Sequence, residues 1–225
     1  MKTSREEVLR YLGYNNQIIY NSTAEIIDEC LLEIQQLTQG KYTYKLFELA
    51  KTEGKMALLQ TNLVFSSVDI QAHLAKSTKC VLLAATLGMT VEKRIYYYSK
   101  LNLTKAVILD ACASAFIEAV CDEAEKEIQI MAQEQGYYLT SRYSPGYGDF
   151  PLEVQPQIIK VLDAYQKIGL SATENYLLLP RKSVTALIGL QKEPSINKNV
   201  LDKCQACPNL DCPYRKEGKD CAENN

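Results

Sequence analysis

Two groups of residues in this sequence could do chemistry. The first is the run Arg142-Tyr143-Ser144-Pro145-Gly146-Tyr147-Gly148. It sets one permanent cation and an aromatic phenol on a backbone that Pro145 tightens and that Gly146 and Gly148 leave free to bend. A guanidinium can clasp a carboxylate through two parallel hydrogen bonds, worth about 1.5–3 kcal/mol net when charge-assisted. Glycines let backbone N–H and C=O groups come close to a small ligand. The same run also suits a plain turn between a strand and a helix, with Arg142 in a surface ion pair. Loop composition leaves both readings open.

The second group is Cys204, Cys207, Cys212 and Cys221, in the pattern C-x2-C-x4-C-x8-C. Four thiolates so spaced in a short polar tail point to a metal, because such a tail has little apolar material to bury and coordination would have to order it. Four unrelated thiols on a polar end are the alternative. Only the first pair has the knuckle spacing of structural zinc. Irregular spacing and the steps Cys207-Pro208 and Cys212-Pro213 favour an iron-sulfur cluster, with zinc as the other candidate. The remaining cysteines, Cys30, Cys80, Cys112 and Cys121, stand among apolar neighbours and read as core.

Something must hold these residues in place. Ser4 and Glu7 start a short helix that Gly13 closes, and Ile26, Ile27, Cys30, Leu31, Ile34 and Leu37 share one face of a second helix, expected to pack on a sheet. Tyr42–Leu49 and Lys55–Leu59 predict a hairpin about Thr52-Glu53-Gly54. Ser66 or Ser67 caps a short helix through Ala75. Lys79–Leu87 is apolar enough for a central strand covered on both faces. Helices over about 90–100 and 103–135 follow, then a strand over 137–142 leading into the arginine loop. Pro156 suits the first turn of a helix to about Lys167. Strands over about 175–179 and 184–190 flank the turn Pro180-Arg181-Lys182-Ser183. Beyond Gln191 apolar density drops, which divides the chain into a domain over 1–192 and a Cys-rich tail over 193–225. Helices and strands mix without strict alternation, so the expected class is α+β, with helices packed on a mostly antiparallel twisted sheet.

Bulk properties narrow the function. The chain has 225 residues, 47% hydrophobic and 23% charged, with a formal charge of -2, and no basic stripe that would track nucleic acid. Its start lacks the apolar run of a signal peptide, and no stretch is long and apolar enough to span a bilayer. A cytoplasmic setting is expected, with no nucleic-acid or membrane partner. The only histidine, His73, falls on a short helix and suits a structural role better than a catalytic one.

The string Arg142-Tyr143-Ser144-Pro145-Gly146-Tyr147 resembles the Arg-x-x-Pro-Gly-Tyr signature of the activation domain of cobalamin-dependent methionine synthase. The likeness extends over roughly residues 60–190. It includes the strand to Thr86-Leu87-Gly88, Asp110 with Phe116-Ile117-Glu118, and the turn Pro180-Arg181-Lys182-Ser183-Val184-Thr185. It implies a site for S-adenosylmethionine in which Arg142 holds the methionine carboxylate, the Ser144 backbone contacts the ligand, and Pro145 and Gly146 shape the bend. Tyr147 would line the site near the cobalamin as its catalytic residue, and Glu118 is the acidic candidate on the long helix. The sequence departs from the family at Gly148, where a proline often stands, and at Ser114, where an acidic residue is expected.

The resemblance thus implies an accessory protein that binds S-adenosylmethionine and supports reductive methylation of oxidised cobalamin. No Asp-x-His-x-x-Gly string occurs, so the cobalamin is expected on a separate methionine synthase chain. The electron would come from flavodoxin, ferredoxin or a cluster in the tail. The alternatives are a sensor or docking module for another corrinoid methyltransferase, and a zinc-stabilised interaction protein.

Overall fold

A computed structural model describes residues 3–14 and 17–194. The elements run α1 (Arg5–Tyr11), α2 (Asn21–Leu37), β1 (Lys41–Thr52), β2 (Lys55–Leu58), β3 (Val64–Phe65), α3 (Val68–His73), β4 (Ser77–Thr86), α4 (Met89–Leu101) and α5 (Leu103–Glu134). Then come β5 (Tyr138–Leu139), a 3-10 turn (Leu152–Val154), α6 (Gln155–Leu162), α7 (Ala164–Ile168), β6 (Ser171–Ala172), β7 (Leu178–Leu179) and β8 (Ser183–Gln191). Six strands form one sheet in the order β3-β2-β1-β4-β8-β5, and every pairing is antiparallel. The expected α+β class is the one observed.

The apolar run of β4 lies at the centre of this sheet, between β1 and β8, because side chains on both of its faces find cover. Val81 and Leu83 turn to one side, where Ile188 and Leu190 of β8 join Ala124, Ile128 and Ala132 of α5. Cys80, Leu82 and Ala84 turn to the other, against Phe47, Phe150, Ile158, Leu162 and Ile168. This is the twofold alternation of a strand with both faces buried. Burying a side chain such as Leu82 completely contributes about 1.5–3 kcal/mol.

α5 is the long spine. It has 32 residues, about 48 Å at 1.5 Å per residue, and Asn102 caps it by accepting the Lys105 N–H at 3.0 Å. Its first half collects the other helices through Ala111, Ala115 and Val120, and its second half crosses the sheet. Small residues let the neighbouring elements come close. Gly40 illustrates this: a Cβ there would lie 2.4 Å from Val120 Cγ2, and its φ of +71° suits glycine.

The structure corrects several expectations about local elements. The apolar face of α2 packs on α5 rather than on the sheet, with Ile27, Cys30 and Ile34 joining the α5 cluster. The helix expected over 156–167 breaks in two at Asp163, whose left-handed φ of +55° turns the chain between α6 and α7. The strand expected over 137–142 shortens to β5. The strand expected over about 175–179 shortens to β7, which pairs with β6 in a separate small sheet, whereas β8 enters the main one. β3 had no periodic signal because it is two residues long.

No helix among the described residues is long and apolar enough to cross a membrane. Cys204, Cys207, Cys212, Cys221 and the whole 193–225 tail division, except its first two residues, lie outside the described residues. The four described cysteines are buried, and burial pushes the Cys30 thiol up to about 11 and those of Cys80, Cys112 and Cys121 up to about 12. They behave as small apolar groups, as read from their neighbours.

Candidate ligand site at the arginine loop

The loop after β5 stays tied to the sheet. Tyr143 N donates to Leu187 O at 2.9 Å and Leu187 N to Tyr143 O at 2.8 Å, so the loop begins as a bridge onto β8. Beneath it, Thr140 Oγ1 accepts the Gly189 N–H at 2.8 Å. His73 Nε2 lies 2.9 Å from Ser141 O, a carbonyl that can only accept, and the His73 ring sits 5.0 Å from that of Tyr143. The lone histidine is an anchor for the loop.

Past the bridge the backbone folds into a tight bend. Gly146 N donates to Phe150 O at 2.7 Å and Tyr147 N to Ser144 O at 3.2 Å, with Gly146 at φ +95° and Gly148 at φ +51°. Phe150 plugs the far end, 1% exposed, edge-on to Phe65 at 5.6 Å. Asp149 and Asp69 then clamp the loop to α3. The Asp149 carboxylate accepts from the Ser67 hydroxyl, from Val68 N at 2.6 Å and from Asp69 N at 3.1 Å, and Asp69 Oδ2 accepts in return from Asp149 N at 3.1 Å.

These bonds, the Ser67 hydroxyl first among them, hold the Asp149 carboxyl below the usual carboxylate range. A carboxyl whose folded pKa is depressed contributes stability above the unfolded value, near 3.9, and loses it as pH falls through the folded value. Melting temperatures measured from pH 6 downward should therefore show wild type above Asp149→Asn at neutral pH, with the two curves converging below pH ~4. Curves that stay parallel would remove the clamp from the account.

Arg142 points toward α5. Its Nη2 lies 3.1 Å from Glu118 Oε2 and 2.8 Å from Asp122 Oδ1, and its Nη1 lies 2.9 Å from Glu125 Oε2. The three acids are spaced four and three residues apart, so one helix face presents them together. The Nη1 contact is near in charge but not aligned as a hydrogen bond, and Nη1 is buried without an aligned acceptor. The Arg142 side chain is 20% exposed. Burial pulls the guanidinium pKa down, but Glu125, Cys121 and Asp122 outweigh it, and the group is held above its ordinary value. It stays a cation throughout.

A cleft of about 540 Å³ opens beside this cluster. Arg142, Ser144, Pro145 and Tyr147 line one wall and Glu118, Asp122 and Glu125 another, with Ser141, Gln155, Leu178, Ser183, Val184 and Thr185 completing it. Its size falls within the ~300–1,000 Å³ of small-molecule sites. Five of the six loop and helix residues singled out in the sequence, Arg142, Ser144, Pro145, Tyr147 and Glu118, come together here. Gly146 does not line the cleft; its backbone makes the bend that presents its neighbours. Tyr147 is 62% exposed at the rim. Ser114 lies elsewhere, accepting from Lys182 Nζ at 2.7 Å while Lys182 also pairs with Asp110 at 2.9 Å.

Sequence reasoning missed Asp122, Glu125, Gln155 and Thr185. The acids carried a signal in their spacing from Glu118. Gln155 carried none, and Thr185 only its place at the end of the turn that the family resemblance includes. They are 6% and 2% exposed, and Thr185 Oγ1 donates to Gln155 Oε1 at 3.1 Å. The Gln155 amide N–H groups make no hydrogen bond among the described residues and belong to a side chain that lines the cleft. Among those residues no cluster of three or more His, Cys, Asp or Glu is arranged to hold a metal ion.

Comparison with known proteins bears on the family and the fold. A family model described as vitamin B12 dependent methionine synthase, activation domain, matches residues 44–196, which include most of β1, all of β2 to β8, α5 and the whole arginine loop. No curated protein gives a significant match. A solved structure described as "Crystal Structure of the MetH Reactivation Domain bound to AdoHcy" superposes with a TM-score of 0.60 at 10% identity, covering 88% of this chain and 72% of that one. At that identity the likeness is one of fold.

Proposed function

Because the chain belongs to the vitamin B12 dependent methionine synthase activation-domain family, we propose that it binds S-adenosylmethionine in the arginine-loop cleft and supports reductive methylation of oxidised cobalamin on a methionine synthase chain. The observation that carries this is the position of Arg142, among the described residues the one cation lining a cleft of about 540 Å³, on the loop that bears the family's signature residues. The solved domain of like fold is described as bound to AdoHcy, the demethylated form of the donor, which supports the same ligand class here.

In this reading Arg142 turns part of its fork from the α5 acids to the methionine carboxylate. The Ser144 backbone touches the ligand, and Tyr147 stands at the rim where the methyl group leaves. Glu118 faces the ligand ammonium. Reduced cobalamin, if held by the partner against this cleft, would supply the acceptor for the methyl group. The protein contributes orientation: holding the donor in line converts a bimolecular encounter into a directed one, and such effects reach about 7–11 kcal/mol. We assign domain limits of 1–192 and 193–225, and an iron-sulfur cluster to Cys204, Cys207, Cys212 and Cys221, on spacing alone. The cluster, flavodoxin or ferredoxin supplies the electron. Anaerobic purification reads this out: a brown protein supports the cluster, and a colourless one containing zinc replaces it.

The direct test has two stages. Calorimetric titration of the purified chain with S-adenosylmethionine should give a saturable one-site heat, and absence of heat would remove the reading. Oxidised cobalamin-dependent methionine synthase, given this protein, the donor and a chemical reductant, should then recover turnover. Binding without recovery would make the chain a sensor or docking module instead.

A further inference from the structure

A second cleft, of about 480 Å³, opens between α6 and the β1-β2-β3 side of the sheet. It shares no lining residue with the arginine-loop cleft. Alternation along β1 brings Lys45 and Phe47 to it, and three- and four-residue spacing on α6 brings Gln157, Lys160 and Val161. The turn Gln60–Leu63, between β2 and β3, completes it. This turn is preformed, because the Thr61 hydroxyl donates to Leu58 O at 2.8 Å and accepts from Leu63 N at 3.0 Å. Gln60 is held at φ +64°, a conformation that costs a residue with a side chain more than it costs glycine.

Among the described residues the lining carries two cations and no acid. Neither Lys45 nor Lys160 has an ion pair among those residues, and the Lys45 ammonium stands 5.9 Å from the centre of the Phe47 ring, above an apolar floor that Leu63 and Val161 extend. Around that floor the side-chain amides of Gln60, Asn62 and Gln157 make no hydrogen bond among the described residues. From this combination we propose that the cleft binds a nucleoside monophosphate, with the phosphate held between Lys45 and Lys160 and the base edge met by the amides. Each part of the ligand answers one part of the cleft. A phosphate monoester carries a charge of about -1.5 to -2 at pH 7, which two point-like ammonium groups can neutralise without the planar fork that a carboxylate favours. An amide offers a donor and an acceptor together, the pattern that base edges present, and a flat ring covers the Phe47 floor. A dicarboxylate would use the lysines but leave the amides and the floor to water.

Calorimetry on the full chain with adenosine 5′-monophosphate, adenosine and inorganic phosphate tests this. The monophosphate should give a saturable one-site heat that weakens as salt rises, and adenosine should bind about tenfold more weakly. Lys45→Gln and Lys160→Gln should each weaken the monophosphate about three- to tenfold, and together about ten- to a hundredfold, with adenosine unaffected. Lys126→Gln, at an exposed position of α5 outside the cleft, should change nothing. Saturating S-adenosylmethionine should leave the monophosphate heat in place, since the two clefts are separate; displacement would put the nucleotide in the arginine-loop cleft and overturn the assignment. So would the absence of monophosphate heat at millimolar concentration, inorganic phosphate binding as tightly as the monophosphate, or lysine variants that bind it like wild type. If S-adenosylmethionine itself does not bind, the functional reading above falls while the lysine variants still decide the nucleotide site. Should the double variant not fold, Lys160→Gln alone, at an exposed position of α6, and the salt dependence of wild type decide it.

Discussion

Arg142→Ala should lower S-adenosylmethionine affinity about thirty- to a thousandfold and lower the melting temperature by several degrees. The binding loss combines the charge-assisted bonds to the ligand carboxylate, about 1.5–3 kcal/mol, with the repulsion of three acids that the guanidinium otherwise neutralises. The stability loss is smaller. Deleting one partner of a fully buried pair costs about 3–5 kcal/mol. Here the carboxylates of Glu118, Asp122 and Glu125 are 44%, 60% and 31% exposed, so water screens them and about 1–2 kcal/mol remains. For a domain of this size that is about 2–8 °C. Arg142→Lys separates charge from shape. A lysine keeps one positive charge but cannot serve three carboxylates and a ligand from a planar fork, so it should restore most of the stability and little of the affinity. Calorimetry and thermal melts on the three proteins check this, and an alanine variant with wild-type affinity removes Arg142 from the site.

Gly148→Pro should be the most damaging single change in the loop, at a cost of about 3 kcal/mol or more and about 6–12 °C in melting temperature. Gly148 has φ +51°, and a proline ring holds φ near -65°. A Cβ at this position would also fall 1.8 Å from Asp69 Oδ2 and 2.8 Å from the Tyr143 hydroxyl. Asp69 could swing aside only by giving up its bond from Asp149 N, which opens the clamp between the loop and α3. Donor affinity should fall together with stability, because the clamp and the β8 bridge between them set where Arg142 and Tyr147 stand. Gly148→Ala should show a milder form, because alanine can still reach the left-handed region, but its Cβ meets Asp69 as well and should open the clamp too. Glycine at this position therefore has a local cause: the chain passes too close to Asp69 for a side chain. A proline variant that melts within a degree of wild type would contradict that geometry.

Much of the architecture was legible from pattern. The unbroken apolar run of residues 79–87 put β4 in the middle of the sheet, and the threefold and fourfold spacing of α2 and α5 set their extents to within a few residues. Breaks decided by a single dihedral were not legible. Asp163 is an ordinary polar residue in sequence, and its left-handed turn exists because α7 must fold back over Leu82 and Phe47 to close the second core. Short pairings such as β3, β6 and β7 were hidden for a related reason: two residues cannot display a period.

The sequence by itself determined the local chemistry of the site: a permanent cation, a phenol and a glycine-bounded bend, together with the strand and helix that flank them. Only the tertiary structure decided what that cation faces. Helical spacing brings Glu118, Asp122 and Glu125 onto one side of α5, but which side meets Arg142 depends on how the spine lies across β4 and β8. That orientation is set by burial of Ala124, Ile128 and Ala132, apolar residues with no part in the chemistry. Gln155 and Thr185 meet on the same terms, brought together because α6 packs on the sheet beside β8. Hydrophobic packing is non-directional along the chain, so it joins polar groups whose pairing no local pattern announces.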